Sequence, residues 1–238
     1  FLFVMRLIID IGNTNIKLAV FEKEKICEVF IDSTISRPLI ERIMNIYPTI
    51  DMVFSCASNN EHKLEKFFFS NYKIRFVEFN TNLYRHIFSS YNGKIGEDRS
   101  ALSIGGIFFY GKNILIIDLG TCITYDLVLN GIHKGGQISP GITSRLKNLY
   151  NSTKSLPMVD FKVPNDFIGK STKGCMLSGV FFGVLSELEL MIKRYTNEYK
   201  LTVVITGGDA KYVKKHIKNA IFDDNLLMKG LNCMLNEN

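Results

Sequence analysis

At 238 residues the chain is long enough to bury one large core or two modest ones. Its 46% apolar and 22% charged residues exclude a disordered or fibrous chain. The net charge of +6 leaves polyanion binding open, but Lys and Arg are scattered without a basic tract, so a solvated basic surface is preferred to a nucleic-acid interface.

The first half opens with an apolar run, Leu7–Asp10, that reads as a buried strand. A tight turn leads to a second strand at Ile16–Phe21, and Val29–Ser33 reads as a third. A helix is predicted from Pro38 to Ile46, with proline suited to its first turn. Met52–Ser55 is a short strand, His62–Ser70 a helix with Phe67-Phe68-Phe69 as core, and Ile74–Phe79 a strand. Polar Asn80–Lys94 follows as a loop, and a helix starts near Asp98 and runs through Ile107. The domain boundary is placed at Gly111–Asn113, giving domains 1–111 and 112–238.

The second half repeats the opening. Ile114–Asp118 is a strand, Ile123–Leu129 another, and Gly131–Gly136 reads as a Gly-rich crossover before a helix that follows Pro140-Gly141. Asn165–Lys173 is a polar loop, and a long helix covers Thr172–Tyr195. Gly174, Ser178, Gly179 and Gly183 punctuate that helix, as close helix–helix packing within or between subunits would require. Val203–Thr206 is a strand ending at Gly207-Gly208-Asp209, with Asp209 as the cap of a further helix. Hairpins precede helices in both halves, which indicates mixed sheets rather than strict strand–helix alternation.

Five cysteines stand singly without a C-x-x-C pair, and four histidines are dispersed, so neither a disulfide framework nor a zinc site is expected. The apolar opening 1–5 is too short for a signal core. No uninterrupted apolar run reaches about 18 residues, so the reading is a cytoplasmic protein without a spanning helix.

The chemistry lies in the turns. Asp10-Ile11-Gly12-Asn13-Thr14 and Asp118-Leu119-Gly120-Thr121-Cys122 each follow a buried strand and precede a second one. Glycine lets backbone approach a ligand, N–H groups in such a turn cradle phosphate oxygens, and a strand-end Asp can hold Mg²⁺ directly or through water. Thr121 and Thr124 add hydroxyls at the second turn, and Asp118 is a second hard anionic ligand. Such a duplication points to a phosphate cleft between two halves and to a nucleotide-using phosphotransferase. Other phosphate loops are missing: Gly169-Lys170-Ser171 has the tail of a Walker A loop but Pro164 where glycine is needed. In Gly96-Glu97-Asp98-Arg99, at a helix start, Asp98 can accept a hydroxyl proton and Arg99 can grip a carboxylate bidentately. Gly135-Gly136-Gln137-Ile138-Ser139-Pro140-Gly141 and Thr206-Gly207-Gly208-Asp209 can pack backbone against a nucleotide.

In this order, over Leu7 to about Gly230, these motifs make the chain resemble the type III pantothenate kinases of the actin/hexokinase/Hsp70-like superfamily. The resemblance implies an α/β protein of two ribonuclease H-like (actin-like ATPase) domains, each a mixed sheet flanked by helices, with the active-site cleft between them. It implies ATP-dependent phosphorylation of pantothenate to 4'-phosphopantothenate, the first step towards coenzyme A. By resemblance Asp10, Ile11, Gly12, Asn13, Thr14, Asn15, Ile16 and Lys17 line the ATP phosphates with Mg²⁺ at Asp10, and Thr121 contacts ATP. Gly96, Glu97, Asp98 and Arg99 contact pantothenate, with Asp98 the proton acceptor, and Thr172 meets the same substrate. Asp118 holds a monovalent cation, K⁺ or NH₄⁺, and the molecule is a homodimer. Three positions depart from the family pattern. Ser90-Tyr91-Asn92-Gly93 is shorter than the family's Tyr-x-Asn-Pro-like stretch and lacks its proline, Cys122 replaces a common alanine, and Ser171 stands where Asn is frequent. A transcriptional accessory factor of the same fold and another small-metabolite kinase are the competing readings. The paired aspartates argue against the first, and the short chain against the second.

Overall fold

The computed structural model describes residues 5–12, 15–57, 72, 74–78 and 84–235. The predicted helix at 62–70 lies outside them, as do Asn13 and Thr14 of the first turn. Contacts divide the chain into two compact units, Phe1–Phe109 with Leu226–Asn238, and Tyr110–Asn225.

The first unit is built on a five-stranded sheet in the order β3-β2-β1-β4-β5. Its strands are β1 (Met5–Ile11), β2 (Ile16–Glu22), β3 (Lys25–Asp32), β4 (Ile50–Ala57) and β5 (Arg75–Glu78). Central β1 is antiparallel to β2 and parallel to β4. Its two faces are both buried, which is why it reads as a continuous apolar run rather than an alternation. Leu7, Ile9 and Ile11 join a core with Ile40, Ile43 and Met44 of α1 (Arg37–Ile46). Ile8 points the other way, into a core with Ala101 and Ile104 of α2 (Glu97–Tyr110) and Met228 and Leu231 of the last helix. The Ser36 hydroxyl caps α1 by accepting from the Leu39 N–H at 3.4 Å.

The second unit repeats this plan. Its strands are β6 (Ile114–Leu119), β7 (Cys122–Leu129), β8 (Ile132–Pro140), β9 (Thr202–Thr206) and β10 (Ile221–Phe222), in the order β10-β9-β6-β7-β8. Central β6 is antiparallel to β7 and parallel to β9, matching β1 with β2 and β4. One face of this sheet packs on α3 (Ile142–Ser152) and α4 (Thr172–Glu198) through Ile142, Leu146, Leu177, Phe181, Val184 and Leu188. The short helix α5 (Ala210–Val213) follows β9.

Several local expectations change. The predicted crossover at 131–136 is the start of β8, because Gly136 is a strand residue in contact with β7: a Cβ there would lie 1.7 Å from the Tyr125 carbonyl oxygen. Asp209 sits at the N-cap of a single helical turn but its side chain makes no capping bond. A Cβ on Gly179 or Gly183 would meet no atom within 4 Å among the described residues. By length and composition α4 does qualify to cross a bilayer, since two glutamates interrupt a run that is otherwise apolar enough. Its buried residues belong to the second core.

The last helix, α6 (Leu226–Leu235), belongs to the first unit, whereas the sequence reading gives 112–238 to the second. The cause is a backbone-to-backbone helix crossing. A Cβ on Gly105 would lie 2.8 Å from Gly230 Cα, and one on Gly230 would lie 2.0 Å from the Ala101 carbonyl oxygen. Gly230→Ala gains about 1 kcal/mol of helix propensity but must force α2 and α6 apart. We expect a net loss of about 1–3 kcal/mol, read as a lower midpoint in thermal or urea unfolding. A midpoint at or above wild type would show that the crossing is not tight.

Candidate active site

Strand alternation aims Asp10. Residues 7, 9 and 11 face the α1 core and residue 8 faces α2, so Asp10 lies on the α2 side, one step beyond Ile8. Lys17 is its register partner on β2. The Gly12 N–H closes the turn onto the Asn15 carbonyl at 3.1 Å. Burial pushes the Asp10 carboxyl up to about 6; Lys17 pulls it back, and the negative charge of Asp98 pushes it up further. Asp98 is therefore an electrostatic neighbour of Asp10.

Asp98 lies in the first turn of α2, and its Oδ1 accepts from the Arg99 N–H at 2.8 Å. A Cβ on Gly96 would lie 2.6 Å from that oxygen, so glycine leaves room for the carboxylate to fold back over the helix start. Arg99 is buried. Its Nη1 donates to the Tyr91 hydroxyl at 3.2 Å, and its guanidinium carbon lies 5.6 Å from the Tyr91 ring centroid. Tyr91, in the stretch that lacks the family's proline, thus packs on the predicted carboxylate-binding arginine. Glu97 faces Lys94 at 3.9 Å.

In the second unit Asp118 ends β6, with Thr124 of β7 and Thr206 of β9 as its register partners. Gly207, at φ +97°, would place a Cβ 2.4 Å from Asp118 Oδ1 and 2.4 Å from the Leu119 carbonyl oxygen. Only glycine fits there, on both conformational and steric grounds. The Asp209 N–H donates to the Leu119 carbonyl at 2.9 Å, and burial raises the Asp209 carboxyl above its ordinary range while Lys211 lowers it. Thr121 is exposed, but its carbonyl is held by the Gly141 N–H at 3.0 Å and the Ser144 hydroxyl at 2.6 Å. Thr172 is the first residue of α4, next to Ser171, whose hydroxyl caps the helix by accepting from Gly174 N–H at 3.1 Å.

Two polar groups escaped the sequence reading. Arg145 donates to the Pro140 carbonyl and the Ser139 hydroxyl, each at 2.7 Å, and pairs with Glu187. Glu187 also accepts from Tyr125 at 3.0 Å, and burial, with Glu187 beside it, raises the Tyr125 phenol. This clamp fixes the first turn of α3, which holds Thr121. The second group is a buried Asp126–His133 pair, 2.6 Å between Oδ1 and Nε2. Asp126 sits two residues after Thr124 on β7, a spacing that could have linked it to the same face.

Comparison with known proteins gives this geometry its context. The family model for type III pantothenate kinase matches residues 6–194. A type III pantothenate kinase of Christiangramia forsetii is 36% identical over 98% of this chain and 99% of its own. One from Flavobacterium psychrophilum is 37% identical over 96% and 97%. The chain belongs to the type III pantothenate kinase family. Solved structures extend the likeness at the level of fold. A Campylobacter jejuni protein assigned to the Baf family of transcriptional activators superposes with TM-score 0.63 at 22% identity, covering 97% of this chain and 98% of its own. A ROK family glucokinase from Streptomyces griseus, in complex with glucose and AMPPNP, gives 0.53 at 11%, covering 98% and 100%. The kinase thus has the mixed-sheet, actin-like architecture in both units.

The raised carboxyl of Asp10 fixes a sign. With a folded-state value near 6 against an ordinary 3.8, the folded protein binds the proton more tightly than the unfolded chain. Its contribution to stability is therefore greatest below about pH 4 and is lost as pH rises through 6. Asp10→Asn should stabilise the ligand-free kinase at pH 7.5 by about 1–3 kcal/mol, a gain that vanishes as pH falls towards 4. Unfolding midpoints across that range check it, and a gain independent of pH would contradict it.

Proposed function

We propose that the protein transfers the γ-phosphoryl group of ATP to the primary hydroxyl of pantothenate, yielding 4'-phosphopantothenate for coenzyme A synthesis. What supports this reading is that Asp10 lies on the α2 side of its sheet, with Asp98 of α2 opposing its ionisation, in a chain that belongs to this family over nearly its whole length.

In this reading Asp10 to Lys17 cradle the phosphates through turn N–H groups and the Lys17 charge. Asp10 suits Mg²⁺, because a carboxylate whose ionisation burial and Asp98 both oppose gains from a divalent cation nearby. When bound, that ion neutralises the charge of the transferred group. Thr121 contacts ATP, its backbone steadied by Gly141 and Ser144. Arg99 meets the pantothenate carboxylate as a planar donor oriented by Tyr91. Thr172, exposed at the start of α4, is a further substrate contact. Asp118 holds a monovalent cation, K⁺ or NH₄⁺.

Phosphoryl transfer through a loose transition state asks the protein for positioning and charge neutralisation more than for covalent chemistry. Asp98 accordingly orients the attacking hydroxyl and accepts its proton as the new O–P bond forms. Held over Gly96 against the Arg99 N–H, it is fixed before substrate arrives.

The homodimer is part of the proposal. Gly179, Gly183 and Ser186 are exposed along one stripe of α4, which continues to Leu190, 52% exposed, and small residues there let a second copy approach closely. A cytoplasmic location agrees with the free cysteines at 27, 122, 175 and 233 among the described residues.

Asp98→Asn should lower kcat by about 10²–10⁴-fold while the KM for ATP moves little. Near-normal turnover in steady-state kinetics would remove Asp98 from the reaction. Asp118→Ala should abolish activation by potassium in a coupled assay on pantothenate. A mutant still activated by potassium would take the cation away from Asp118.

A further inference from the structure

On the face of the second sheet opposite the α4 core, three polar residues stand in one row across neighbouring strands: Thr206 on β9, Asp118 on β6 and Thr124 on β7. Register partners share a face with Cβ atoms about 5 Å apart. Thr124 is 8% exposed, yet its Oγ1 has no hydrogen-bond partner among the described residues. A buried hydroxyl left unbonded costs about 1–3 kcal/mol, and valine would fill the same volume on a strand without that cost. The Thr124 hydroxyl therefore has an unexplained presence beside a functional carboxylate.

The neighbours narrow what it can bind. Asp126, two residues further along β7, is already engaged by His133. The Asp118 carboxylate is held against the bare Cα of Gly207. Since Thr124 Oγ1 has no hydrogen bond, it makes none to Asp118 either, so no proton bridges these two oxygens. One carboxylate and one neutral hydroxyl, both hard oxygen donors, carry a single negative charge between them. That donor set matches a monovalent cation better than a divalent one, which calls for more anionic oxygen or retained water.

We propose that Thr124 supplies, through Oγ1, a second direct oxygen ligand to the monovalent cation held by Asp118. The inference rests on the reading of Asp118 given above, and it adds a residue whose only stake in the cation is a neutral lone pair. The hydroxyl's role is to bind the ion and fix it laterally across the β6–β7 pair.

The test is the unfolding midpoint of the full chain without ATP or pantothenate, titrated with KCl against choline chloride at constant ionic strength. A cation that binds only the folded state raises that midpoint by mass action. Wild type should show a saturable rise, and Thr124→Ser should keep its half-saturating potassium within about twofold. Thr124→Val should raise it by about tenfold or more, as loss of one metal-site partner does, while being no less stable than wild type in choline chloride. Thr124→Ala, which also lacks the hydroxyl and cannot clash, is read the same way should the valine variant fold poorly. A hydroxyl-free variant with the wild-type potassium response overturns the role of Thr124 and leaves Asp118 in place. A wild type with no potassium response, while still phosphorylating pantothenate, overturns the cation site as a whole.

Discussion

A carboxylate at the end of a buried strand ionises at a cost in stability unless positive charge offsets it, and among the described residues Asp10 finds only part of that offset. Lys17 faces it across the hairpin, yet burial and the neighbouring Asp98 still push its carboxyl up to about 6. The fold thus holds two acidic groups near one another at a cost in stability, which a bound cation can offset. This constraint links β1, the β1–β2 turn and the first turn of α2. It also accounts for Gly96, where a side chain would displace the Asp98 carboxylate.

The second unit handles its strand-end aspartate by another route. Asp118 is only partly buried, and its register partners on the neighbouring strands are two threonines, Thr124 and Thr206. Gly207 lies against it with positive φ, and α3 fastens the adjoining turn through Gly141 and Ser144. The Arg145–Glu187 pair, with Tyr125 on the same carboxylate, then fixes α3 to α4. One sheet plan therefore carries two electrostatic solutions: a buried carboxylate with an acidic neighbour in one unit, and a mixed carboxylate–hydroxyl row in the other.

Much of this was legible from local patterns, for identifiable reasons. β1 and β6 are buried on both faces and so read as uninterrupted apolar runs ending in Asp-x-Gly. The starts of α2 and α4 carry recognisable polar residues, and Ser171 caps α4 as such a residue does. What was lost lay where one residue type serves two ends. Gly135-Gly136 read as chain punctuation, but Gly136 sits in β8 because the Tyr125 carbonyl leaves no space for a Cβ. Tyr91 sits eight residues before Arg99, and only the folded loop stacks its ring beneath the guanidinium.

By itself the sequence determined the two central strands, their aspartate turns, the duplicated order of elements and the family, because these depend on neighbours along the chain and on residue chemistry at short spacing. Tertiary structure alone decided that α6 returns to the first unit, that Asp98 perturbs Asp10, and that Thr124 aligns with Asp118 across the sheet. Each of these rests on contact between segments far apart in the chain, through a glycine crossing, an electrostatic neighbourhood or a strand register. Periodicity within one segment carries no information about which distant segment will face it.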